Sequence, residues 1–453
     1  MRGSGRFSDS AWAWAVYRPD EQQPWNLVRA GHLYRRAGFG ASWSQLQAAL
    51  AMSPGEVIER LIVPEQNFDT FNQIYDDYER SAGDSEDSLR AWWLRRMIET
   101  PHTLLEKLTL FWHNHFAVSS AKVGNLKLVT DHVQTLRKHA LGDYRELLLA
   151  VMRDPATFLT LEASQNRKIA PNTSVAQQLL EQYSLGPKLT SERDIQEAAR
   201  AFTGWFVRGD ELRFVEREHD KGTKVFLGRS GAWTDRDILN IVLEHSEVPR
   251  QIVRKLYRLF ISESDEPPDS LVIPLAESFG RNFDIAELVR TILRSNLFFS
   301  EQVYRRRIKS PVEFVLGIVL AMESSPPTLP LGQDIKNLGQ ELYNPPTRMG
   351  WVGGKRWLSP PMLIGRANLA ADLLSTAGRY GGKLDPLRAV AGTGAKDPRN
   401  PQERLLDIFL QSDLEAPVLK TFKLHSTDSI KTKDQQLRSL AQEIFLLPEF
   451  QLA

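Results

Sequence analysis

The chain has 453 residues, 42% hydrophobic and 25% charged, with a net charge of +1 and no cysteine. The near-zero charge argues against nucleic acid or an anionic membrane surface as the main partner, and the missing cysteines exclude disulfides, thiolate nucleophiles and zinc–thiolate sites. No run of about 18 apolar residues occurs, so no membrane span is expected; Met1 to Asp20 lacks the apolar stretch of a signal peptide, so a cytoplasmic location is expected, with export alongside a partner as the other route.

Residues 1–24, with the short alternating run Ala11 to Val16, read as a loosely ordered segment. From Trp25 the pattern is helical. The first helix, Asn26 to Arg36, stops at Gly38. Ser53-Pro54-Gly55-Glu56 opens another with proline in its first turn and a glutamate three residues after the serine. Ser88 to Glu99 is amphipathic, with Leu89, Trp92, Trp93 and Met97 inward.

The next helix, beginning at Pro101, carries the densest apolar and aromatic run, Leu108 to Phe116. Leu104, Leu108, Phe111 and His115 recur at three- and four-residue spacing and define an apolar face; His102, Glu106, Thr109 and His113 fall on the opposite, polar one. His115 is therefore expected in the core and His113 at the surface. Residues two apart on a helix point roughly 200° apart, so His113 and His115 cannot share one metal ion while the helix continues, whereas an extended chain would place both on one side. In that case they form a metal or acid–base site with Glu181 and Glu162, since imidazole plus carboxylate suits zinc, iron or manganese.

Helices follow at Val123 to Lys138 and Asp143 to Arg153, then a polar loop, Glu162 to Pro171. In it Asn166-Arg167-Lys168, together with Asn172, is a candidate grip for an anion or other ligand, or a loop tied by asparagine to its own backbone. Asn172 to Ser184 and Ser191 to Thr203 are helical. Residues 204–228 alternate like strands around a Gly209-Asp210 turn, giving a small β-hairpin insert. Within it His219-Asp220 reads as a solvated turn or an oriented proton acceptor. Helices resume from Asp235 to Met322. Tyr343 to Pro361 holds too much proline and glycine for a helix; Trp351, Trp357 and Arg356 there suit stacking on a ligand ring, or the indoles plug the core. Met362 to Thr376 and Asp434 to Leu447 are the last long helices. The expectation is a mostly α fold: a helical domain over 25–380 carrying the insert at 204–228, and a C-terminal helical extension, 381–453, packed on it.

Several segments together resemble the bacterial family DUF1800, a domain of unknown function: His32 to Gly40, Leu108 to Val118, Asn166-Arg167-Lys168 with Pro171-Asn172, and Ile195 to Trp205. They continue with His219-Asp220, Lys255-Leu256-Tyr257, Lys309 to Phe314, and Gly350-Trp351 to Trp357-Leu358. The likeness runs in order from about residue 27 to about residue 375. It implies a shared domain and a partner of the sulfatase-like DUF1501 type. One stretch departs from the family: where relatives look like Glu-Asn-x-x-Arg-Glu-Leu-x-Glu, this chain has Thr173, Ser174, Gln177, Gln178 and Glu181. Amides keep the shape of a carboxylate without its charge or proton-transfer capacity. The expected function is accordingly a non-catalytic or degenerate binding or scaffold protein; the alternative is a metal-dependent hydrolase or oxidoreductase using the His113/His115 region, with His113, His115 and Glu181 as catalytic residues and a divalent transition metal as cofactor.

Overall fold

The computed structural model describes residues 9–63, 68–82, 85–393, 401–411 and 432–453. Residues 1–8 of the N-terminal segment and 394–400 and 412–431 of the C-terminal region lie outside it. Helix makes up 61% of the described residues, about twice the ordinary globular share, so the mostly α expectation holds. The insert is two antiparallel hairpins: Trp205–Arg208 pairs with Glu211–Phe214 across Gly209 (φ +61°) and Asp210, and Lys224–Phe226 pairs with Arg229–Gly231.

The helices enclose two hydrophobic clusters. One gathers Leu104, Leu108 and Trp112 of the Thr103–His115 helix, and Phe116 that caps it, with Tyr144, Tyr183, Leu256 and Phe260. The other gathers Leu110 of the same helix with Trp92, Trp93, Val133, Phe314 and Phe445. The Thr103–His115 helix therefore lies between two cores and has no exposed residue.

That position corrects the expected polar face. His102, Glu106, Thr109 and His113 are 3%, 0%, 0% and 0% exposed. Periodicity identifies which residues share a face, but the second face meets protein instead of water. Burial of charge there is sustained by pairing, as it must be. Glu106 accepts from Arg96 Nε at 2.6 Å, Arg137 Nε at 2.8 Å and Trp93 Nε1 at 2.9 Å. Its neighbour Lys107 donates to the Gly38 carbonyl at 2.8 Å and pairs with Glu313, which also pairs with Arg307 and caps Ser310 N. These contacts tie the central helix to the helices Leu27–Ala37, Glu86–Glu99, Leu126–His139 and Pro311–Ala321.

Described residues near both ends make specific contacts. Of the segment read as loosely ordered, Ser10–Ala13 is helical, Trp14 Nε1 donates to the Leu271 carbonyl at 3.0 Å, and Tyr17 N donates to that of Arg294 at 2.8 Å. Near the other end, Leu405, Phe409, Phe445 and Phe450 belong to the second cluster, and Ala453 N donates to the Arg307 carbonyl at 2.7 Å.

Burial alone would raise the Glu106 pKa, but Arg137 and Arg96 hold it at about 2, against an ordinary 4.5. A carboxylate depressed in this way supplies stability that is complete above its unfolded value and is lost as pH falls through the folded one. Glu106→Gln is predicted to cost about 3–5 kcal/mol at pH 7, because two arginines lose their partner. It should also flatten the loss of stability between pH 5 and pH 2 in urea titrations. Parallel pH profiles for variant and parent would contradict the pairing.

Candidate binding pocket

The central helix continues through His115 and ends at Phe116, so the extended chain that would let His113 and His115 share an ion does not form. Each imidazole has its own surroundings. His113 lies among Trp93, Tyr343 and Trp351, with ring centres 5.4, 6.2 and 5.5 Å away. Its Nε2 accepts the Tyr343 N–H at 3.2 Å, which puts the proton of the neutral ring on Nδ1. Burial, and then His132, lowers its pKa to about 3. His115 is stacked on Phe111 and faces Phe116 and Tyr183. Its Nδ1 accepts from Lys255 Nζ at 3.2 Å, so its proton sits on Nε2. Burial and Lys255 hold this ring neutral too, and burial followed by Arg258 brings Lys255 down to about 8. Among the described residues no three His, Asp or Glu side chains are grouped to hold an ion, and the donor set at His113 and His115 does not fit a shared one.

Gln178 and Glu181, three residues apart, have different partners. Thr173–Gln177 is α-helical but Gln178–Ser184 is a π-helix, whose wider turn shifts the phase. Gln178 is 2% exposed and its Nε2 donates to the Arg348 carbonyl at 2.9 Å. Glu181 instead accepts from Gln177 Nε2 at 2.9 Å. Tyr183 neighbours Gln178, and its ring centre lies 5.5 Å from that of His115.

Asn166 is fully buried: its Nδ2 donates to the Phe202 carbonyl and its Oδ1 accepts from Asn172 N, both at 2.9 Å. Asn172 caps the helix that follows, accepting from Ser174 N at 2.8 Å, and donates to the Glu162 carbonyl at 3.0 Å. Arg167 lies over the Phe206 ring, and Lys168 lines an open groove with Arg217 and His219. His219 and Asp220 do not pair: the first is 2.9 Å from the Thr203 carbonyl, the second accepts from Arg200 Nε at 2.7 Å. Trp351 and Trp357 are 7% and 9% exposed, so both indoles are largely covered by protein.

Bonding partners of these residues, Glu162, Ser174 and Arg348, help to line a pocket of about 350 Å³. One wall runs from Ala117 to Lys122, a second from Thr160 to Glu162, and a third is Pro345 to Arg348, with Ser174 at the edge. The third wall is held by side chains the spacing arguments overlooked. Asn114, between the two histidines, accepts from Trp351 N at 2.6 Å. Gly350 (φ +79°) packs so closely on Asn114 that a Cβ would sit 2.1 Å from Oδ1. Ser120 N donates to the Tyr343 carbonyl at 2.9 Å and Ser119 Oγ to Asn344 Oδ1 at 2.6 Å. The available signal was an Asn between two histidines together with a Gly-Trp pair far along the chain, and spacing alone cannot join them.

Residues 32–452 match the profile of a family described as a protein of unknown function, DUF1800. The chain belongs to this family. The match takes in the insert and the C-terminal helices set apart as an extension. No curated protein and no solved structure matches the chain.

In this DUF1800 chain Gln178 and the two histidines hold neighbouring elements together. Gln178→Glu removes a donor and sets a carboxylate against the Arg348 carbonyl, so it should cost about 1–3 kcal/mol and speed proteolysis at Arg348; unchanged melting and cleavage would show that the contact does not hold the loop. His113→Ala and His115→Ala should each destabilise by about 2–5 kcal/mol in thermal unfolding, since both leave a cavity and an orphaned donor. A neutral His113→Ala would return that ring to the surface.

Proposed function

We propose that this protein is a non-catalytic binding or scaffold protein, a degenerate copy within its family, that acts with a partner of the sulfatase-like DUF1501 type. The observation that carries the non-catalytic reading is the use of the two imidazoles. A neutral imidazole has one lone pair with which to bind a metal or take a proton. In His113 it is engaged by Tyr343 N–H and in His115 by Lys255. Gln178 adds to this: its amide N–H holds a loop carbonyl, a task a carboxylate cannot perform. The choice of partner rests on the family resemblance. The pocket walls and the loop they fix offer a pre-formed surface, the property a scaffold needs to bind without an ordering cost.

The purified full-length protein and a DUF1501-type protein from the same genome are predicted to form a stoichiometric complex in sedimentation velocity, insensitive to EDTA. Hydrolysis of aryl esters, phosphates or sulfates that is abolished by EDTA and restored by zinc or manganese would overturn the non-catalytic reading. Absence of a complex at about 100 μM, well above a micromolar affinity, would remove the partner.

A further inference from the structure

The charges around the 350 Å³ pocket are unevenly satisfied. Lys122 Nζ lies 3.1 Å from Glu162 Oε1, so these two neutralise each other. Arg348 has no carboxylate partner among the described residues; its guanidinium contact is Gln177 Oε1, at 3.4 Å. One positive charge is left facing the pocket. The Thr160 hydroxyl accepts from Ser119 N at 3.3 Å, which leaves its own proton to give. Leu161, Pro345 and Pro346 supply an apolar wall.

Two backbone positions at or beside the pocket are also fixed by hydrogen bonds. Glu162 (φ +57°) and Tyr343 (φ +65°) are non-glycine residues in the left-handed region, a conformation that persists only where surroundings impose it and that gathers at ligand clamps. Asn172 fixes the first through its carbonyl; His113 and Ser120 fix the second through both backbone groups. The pocket volume falls at the lower end of small-molecule sites, which bury an apolar body and orient it with a few polar groups.

We propose that this pocket binds a small organic carboxylate, with the carboxylate forked onto Arg348 and the apolar remainder against Leu161 and the Pro345-Pro346 wall. A planar guanidinium presents paired N–H groups that match a carboxylate. A single uncompensated charge balances a monoanion, whereas a phosphate dianion would leave an unmatched charge beside Glu162. The proposal rests on the reading of the protein as a binding protein and deepens it by naming the ligand class.

Hexanoate and benzoate are the probes, titrated calorimetrically into the full-length protein, with inorganic phosphate as the competing anion. Both acids should bind with a Kd below about 1 mM, and Arg348→Gln should weaken them about tenfold or more without changing the melting temperature, since Arg348 is exposed. Thr160→Val should weaken them to a smaller degree, and Arg213→Gln, on the exposed hairpin, should leave binding intact. No heat from either acid up to about 10 mM, equal binding by Arg348→Gln, or preference for phosphate would each overturn the proposal. If the acids fail while the DUF1501 complex forms, the ligand class falls and the scaffold reading stands. If the complex fails while the acids bind, the DUF1501 partner falls and the ligand class stands.

Discussion

The buried carboxylate of Glu106 is the constraint around which the rest is arranged. An ion taken from water into a protein interior costs several kcal/mol unless it is paired and hydrogen-bonded. Satisfying Glu106 draws Arg96 inward from one helix and Arg137 from another, with Trp93 Nε1 completing the set. Three helices are thereby held in one register. One residue on, Lys107 faces the other way and meets the Gly38 carbonyl and Glu313, whose helix begins with a capping box at Ser310. The central helix is held on both sides, and its last turn, His113 to Phe116, is delivered to a fixed place.

What happens at that last turn explains why residues with chemical potential do structural work here. His113 receives Tyr343 N–H, Asn114 receives Trp351 N–H, and Gln178 gives its own N–H to the Arg348 carbonyl. Each of these bonds joins a side chain to the backbone of the loop over 343–351. A loop rich in proline and glycine cannot satisfy its own backbone through helix or sheet, so it borrows partners from the helices beneath it. The product is a pocket wall with a defined shape.

Much of the fold was legible because helical periodicity and end signals are local. The apolar phase of Leu104, Leu108 and His115, the capped start at Ser53, and the hairpin at Gly209-Asp210 all depend on neighbours within a few residues. The polar phase failed at Glu106 and His113 because periodicity distinguishes faces without saying what covers them; a helix between two cores has no wet side. The π-helix over Gln178–Ser184 departs from the α-helical spacing that would set Gln178 and Glu181 on one side. The pocket was the least legible part. Its walls come from residues more than 200 positions apart, such as Ser119 and Pro345, and no spacing rule connects them.

The two imidazoles are neutral and fixed by protein donors. Proton–nitrogen NMR on the protein labelled with ¹⁵N-histidine tests this most directly. The account predicts that His113 carries its proton on Nδ1 and His115 on Nε2, that neither titrates between about pH 5 and 8, where an ordinary histidine does, and that neither shifts when one equivalent of zinc is added. Titration of either ring in that range, or a zinc-induced shift at both, would contradict it.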